Sequence, residues 1–136
     1  MINILPNLII GFTKNTQGTY ILFIKIRKEI FVKIRGKETK LEPGYYFYVG
    51  SAFGAGGLTS RLHRHLRKNK KKHWHIDQVT MSNWTEIEGI AVSLKQKNEC
   101  LIASIFSEIE DLIPIIGFGN SDCFSCQSHF FKLNLP

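Results

Sequence analysis

The chain has 136 residues, 43% hydrophobic and 21% charged, with a formal net charge of +7. That length fits one domain with a real core, spanning 1–136, and no apolar run approaches the ~20 residues of a membrane-crossing helix. The positive balance favours an anionic partner, nucleic acid before a membrane surface, and three cysteines point away from a disulfide framework towards a reducing, cytoplasmic setting.

The N-terminal MINILPNLIIGF has no basic segment ahead of its apolar residues and no small-residue cleavage site, so it reads as part of the fold and not as a signal peptide. TYILFIKI (19–26) has the β-branched alternation of a strand, and EIFVKI (29–34) repeats it after a tight polar turn. Residues 35–40 read as a charged turn around Gly36. Pro43–Gly44 then introduces a third strand, YYFYVG (45–50). These elements predict a three-stranded antiparallel sheet in an α+β domain.

SAFGAGG (51–57) is too rich in glycine for regular structure. After it, Leu58, Leu62 and Leu66 mark the buried stripe of a helix. Arg61 and His65 border that stripe, with Lys68 close to their line, where a side chain can face a cleft beside the sheet. Arg64, Arg67, Lys70, Lys71 and Lys72 are expected to face outward as general electrostatics, with or without phosphate contact. HWHIDQVTM (73–81) reads as a strand or the start of a helix. NECLIASIFSEIEDL (98–112) predicts a helix capped by Asn98, with Glu99 in its first turn and Leu101, Ile102, Ile105, Phe106 and Ile109 as its buried stripe. The turn-rich tail is expected to finish on a short strand around Phe130 to Leu133.

Taken in order, Gly18-Thr19-Tyr20, Tyr48-Val49-Gly50, Leu58-x-x-Arg61 and Arg61-x-x-x-His65 resemble the successive motifs of the GIY-YIG endonuclease superfamily. With GYYFYVGSA, GGLTSRLHRHLR, HWHID and GFGNSDCxxCxSH, nearly the whole chain is similar to the Uri branch of small stand-alone members. The resemblance implies a three-stranded antiparallel sheet flanked by helices and hydrolysis of DNA phosphodiesters with one divalent ion, Mg2+ or Mn2+. It further implies that Tyr20 and Tyr48 position or deprotonate the attacking water, Arg61 holds the phosphate, His65 relays a proton or orients the water and Glu99 binds the metal. Gly50, Ser51, His73 and His75 would then meet the nucleic acid with the basic helix. A module that binds nucleic acid without cutting it is the alternative.

Two departures stand out. The signatures are separated by the 27 residues from 21 to 47, longer than the family's usual hairpin, which implies a different strand order or an enlarged hairpin with an extra strand. Ser51 also stands where many relatives carry lysine. His73, His75 and Asp77 would share one face if 73–77 were extended, resembling the HxHxD of metallo-β-lactamase-type hydrolases. Gln78 replaces the histidine that pattern needs, so phosphate contact or support of the cleft is the expected role. Cys123-x-x-Cys126-x-x-His129 has zinc-compatible spacing, with Cys100 or an imidazole from 73–75 as a possible fourth ligand, although plain burial of the thiols accounts for them as well. Trp74 and Trp84 read as core or edge packing, Trp74 with the option of stacking on an unpaired base.

Overall fold

A computed structural model describes residues 15–119 and 126–135. The expectation for MINILPNLIIGF and the ligand role of Cys123 lie outside them. Seven strands and three helices are found among the described residues. The strands are β1 (Gly18–Ile26), β2 (Ile30–Ile34), β3 (Lys37–Leu41), β4 (Gly44–Ala52), β5 (Thr85–Leu94), β6 (Leu112–Pro114) and β7 (Phe130–Leu133). The helices are α1 (Gly57–Leu66), α2 (His75–Thr80) and α3 (Glu99–Ser107).

The α+β class holds, but the main sheet has five antiparallel strands in the order β5-β1-β4-β7-β6, not three. β1 and β4 pair directly from Gly18↔Ala52 to Ile26↔Gly44, so the two glycine–tyrosine signatures lie side by side. The surplus between them folds away as a separate two-stranded hairpin of β2 and β3. β2 is therefore not a member of the main sheet, and most of the expected charged turn is strand β3. Only Arg35 and Gly36 form the turn, both with positive φ (52° and 80°), the twist that suits a two-residue hairpin. Ile30, Val32 and Ile34 alternate inward and carry the hairpin onto the core. Gln78 pins it, accepting from the Lys33 N–H at 2.7 Å and donating to the Lys33 carbonyl at 2.9 Å.

Alternation along β1 and β4 puts Tyr20, Leu22, Ile24, Ile26, Tyr46 and Tyr48 on one face, packed with Leu58 and Leu62 of α1 and Ile76 and Val79 of α2. The opposite face carries Phe47 and Phe131, covered by Ala103 and Phe106 of α3. This corrects the expected stripe of α3. Leu101 (61% exposed), Ile105 (52%) and Ile109 (42%) face out, while Ala103 is buried and Cys100 and Phe106 are half-buried. β5 is a strand that the sequence pattern does not announce. Its two glutamates and a glycine dilute the alternation, and its strand character comes from pairing with β1 along its length.

Candidate active site

Gly18 and Gly50 bring the signature tyrosines into place. A Cβ on Gly50 would stand 2.5 Å from the Tyr20 hydroxyl oxygen, so the absence of a side chain lets the Tyr20 ring lie across β4. A Cβ on Gly18 would stand 2.5 Å from the Ser93 carbonyl, so this glycine allows β5 to approach. The glycine-rich loop serves the chain's own backbone: a Cβ on Gly57 would collide with the Thr16 carbonyl, and that carbonyl accepts from the Leu58 N–H at 2.8 Å. The loop seats α1 against the start of β1, and α1 in turn delivers Arg61 and His65 over the tyrosines.

Tyr20, Tyr48, Ser51, Arg61, His73, Trp74, His75, Glu99, Gly119 and His129 line one pocket of about 230 Å³. Tyr20 Oη and His65 Nε2 share a hydrogen bond of 2.6 Å at its back, with both residues 1% exposed. Tyr48 lies beside this pair, ring centroids 6.4 Å from Tyr20 and 6.1 Å from His65. Its hydroxyl has no hydrogen-bond partner among the described residues. Arg61 is held over the Trp74 ring at 4.2 Å and makes no ion pair among the described residues. Thr19 Oγ1 donates to the Gln96 carbonyl at 2.7 Å and accepts from the Asn98 N–H at 3.2 Å, which anchors the start of α3 to β1. Glu99 thereby enters the pocket, where its Oε2 lies 3.1 Å from His129 Nδ1.

Burial decides the protonation states. It pushes both phenols up, Tyr48 well above 10, with the Arg61 guanidinium opposing the shift at each. Both are therefore protonated at neutral pH. Burial, reinforced by the charge of Lys70, lowers His65 to about 3, so its imidazole is neutral. Its hydrogen bond can run in either sense: Tyr20 donates to Nε2 in one tautomer, and Nε2–H donates to Tyr20 in the other.

Several cations expected at the surface are engaged internally. Asp77 is fully buried and accepts from Arg64 Nη2 at 2.5 Å, the His73 N–H at 2.8 Å and the Trp74 N–H at 2.9 Å. Burial alone would raise its pKa, but these donors outweigh it and hold the carboxylate below its ordinary range. Lys70 does not face outward: its side chain is 2% exposed and donates to the Arg64 carbonyl and Thr80 Oγ1, both at 2.8 Å. Lys68 donates to the carbonyls of Ser82 and Thr85 at 2.6 and 2.5 Å. Arg67, Lys71 and Lys72 are exposed as expected. His73 and His75 line the pocket, but α2 begins at His75, so 73–77 is not extended and Asp77 braces the helix start without joining the pocket. Gly50 lies buried beneath Tyr20.

Cys126 is buried with its Sγ 3.3 Å from His129 Nε2. It is disulfide-bonded, against the expectation drawn from the odd number of cysteines. The Glu99–His129 contact and the bracing by Asp77 are not legible in the sequence. Each joins residues on different elements, and only the acid three positions after Trp74 hints at the second. Trp84 is 42% exposed with the Lys28 ammonium 4.2 Å over its ring, an edge position and not a core one. No helix among the described residues is long and apolar enough to cross a membrane.

The model of a family described as "Domain of unknown function DUF123" matches residues 19–135. No curated protein matches the chain, and no solved structure does.

Proposed function

This chain belongs to the DUF123 family, and from the chemistry of its pocket we propose that it is a metal-dependent endonuclease of the GIY-YIG type that hydrolyses phosphodiester bonds in DNA. One observation carries the reading: a guanidinium without an ion-pair partner among the described residues, two phenols and a carboxylate converge on a single pocket. A guanidinium in that setting suits a phosphate, which it binds through two parallel N–H donors.

The donor set also fits a hard divalent ion. Glu99 Oε2 is taken by His129, which leaves Oε1 for the pocket, and Mg2+ or Mn2+ needs few protein ligands when water and phosphate oxygens supply the rest. When bound there, such an ion acidifies coordinated water and neutralises phosphate charge. Arg61 holds the non-bridging oxygens and stabilises the charge that builds on them. The Tyr48 hydroxyl orients the attacking water. Tyr20 takes a proton from that water as its own proton passes to His65 Nε2, so neither phenol has to exist as a phenolate. The water oxygen bonds to phosphorus, the P–O bond to the leaving sugar oxygen breaks, and that oxygen takes a proton from solvent. Burial and the charges of Lys70, Arg61 and Arg64 hold His65 neutral beforehand, and a phosphate on Arg61 offsets part of that positive field at the moment of transfer.

The test is cleavage of single-stranded, duplex and branched DNA with Mg2+, Mn2+ or EDTA. Cutting should require metal, vanish in Glu99→Ala and fall by about 100- to 1000-fold in kcat for Arg61→Ala. The alternative, a module that binds without cutting, is favoured by the Tyr20–His65 bond, which engages the Tyr20 hydroxyl and His65 Nε2 without any substrate. Tight, salt-sensitive binding with no cleavage under any metal would select it.

A further inference from the structure

His129 joins the pocket to a second cluster. Its Nδ1 faces Glu99 Oε2 at 3.1 Å, and its Nε2 faces Cys126 Sγ at 3.3 Å. With Cys100 Sγ added, the three potential ligand atoms lie within 4.8 Å of one another. Bonds of about 2.3 Å to sulfur and 2.0–2.1 Å to nitrogen put neighbouring ligands of a tetrahedral ion roughly 3.5–3.8 Å apart, so the observed cluster needs only a small closure. Sulfur and imidazole donors select zinc-class ions over the hard ions proposed for Glu99 Oε1. The carboxylate is a second, independent indication. A metal-bound histidine ordinarily donates its other ring N–H to a carboxylate or carbonyl, and Glu99 stands where that partner belongs.

We propose that Cys100, Cys126 and His129 form a binding site for a zinc-class divalent ion once Cys126 is released from its disulfide, with water in the fourth position. A phosphine performs the release. It is oxidised to the phosphine oxide, water supplies that oxygen and the protons of the two thiols, and the S–S bond takes up the two electrons. Metal binding then sends the thiol protons of Cys100 and Cys126 to solvent, and His129 coordinates through Nε2 while Nδ1–H donates to Glu99. The oxidised protein is the form that does not bind. Metal binding is the readout and cleavage is not, so the site stands or falls independently of the nuclease activity.

The experiment titrates Co2+ into the full chain before and after phosphine reduction and records absorption. Reduced protein should bind stoichiometric Co2+ with a thiolate-to-metal charge-transfer band and the intense visible bands of a four-coordinate ion, both abolished by added Zn2+. Oxidised protein should show neither. Cys100→Ser should remove at least half of the charge-transfer intensity, and Glu99→Gln should weaken binding about 10- to 100-fold while keeping the band. Far-ultraviolet circular dichroism checks that each variant is folded. Reduced wild-type protein without the band, or a band of equal intensity in folded Cys100→Ser, would overturn the site.

Discussion

His65 is 1% exposed, touches Tyr20 and carries the largest histidine shift, so acid sensitivity should trace to it. Its folded pKa of about 3 lies below the ordinary 6.5, burial being the first cause and Lys70 the next. The unfolded chain therefore binds the extra proton throughout that interval, and stability rises with pH from about 3 to 6.5. His75, lowered by burial and by Arg35, adds to the same slope. Urea midpoints measured across this interval should flatten in His65→Gln; an unchanged slope would move the effect to another group. The Arg61-x-x-x-His65 spacing places this imidazole beside the buried stripe. Its partner lies 45 residues away in sequence, and no spacing rule reaches that far.

At the scale of elements, Asp77 joins the start of α2 to α1 through Arg64 and to the backbone of His73 and Trp74. Asp77→Asn keeps the shape but gives up the charge and sets an NH2 against donors, which should cost about 1–3 kcal/mol and lower Tm. Because the folded pKa is depressed, wild-type Asp77 contributes above its unfolded value of 3.8 and loses that contribution as pH falls through the lower folded value. The difference in Tm between wild type and variant should therefore shrink on acidification below about 4, as differential scanning fluorimetry would record. Residues 73–81 are ambiguous in sequence because a short apolar run fits either period. The cap at Asp77 resolves them as a helix. In α3 the i, i+4 spacing of Leu101, Ile105 and Ile109 is a correct helical pattern, yet Ala103 meets the sheet, because the small residue permits the close approach that sets Phe106 edge-on to Phe47 and Phe131.

For the whole molecule, the net charge of +7 overstates the cations of the basic segment that remain for a partner. Arg64 and Lys70 are engaged with the protein's own acceptors away from solvent, Lys68 is exposed but held by two carbonyls, and Arg67, Lys71 and Lys72 are exposed. If DNA is the partner, removing one cation from a phosphate should reduce the slope of log K against log [salt] by about 1. The double variant Lys71→Ala/Lys72→Ala removes two and should reduce the slope by about 2 in EDTA, measured by fluorescence anisotropy, without lowering Tm. Lys70→Met should do the reverse, lowering Tm and sparing the slope. A slope reduced in Lys70→Met alone would contradict this division.

The strand character of β1, β2 and β4, the basic helix, the first-turn position of Glu99 and the terminal strand are all legible in the chain itself, because alternation, helical period and turn chemistry are local. β2 nevertheless leaves the main sheet, and the Asn98 side chain makes no capping bond. The 27 residues between the two tyrosine signatures left a different strand order or an enlarged hairpin open, and the direct pairing of β1 with β4 decides it, with the surplus set aside as the β2–β3 hairpin. Folding in space alone set the outer strands of the sheet, the detached hairpin, the outward face of α3 and the division of the cations between interior and surface. Those outcomes depend on which distant donor meets which acceptor once water is excluded. A buried Lys70 and an exposed Lys71 are neighbours of one chemical type, separated only by what the rest of the chain places around them.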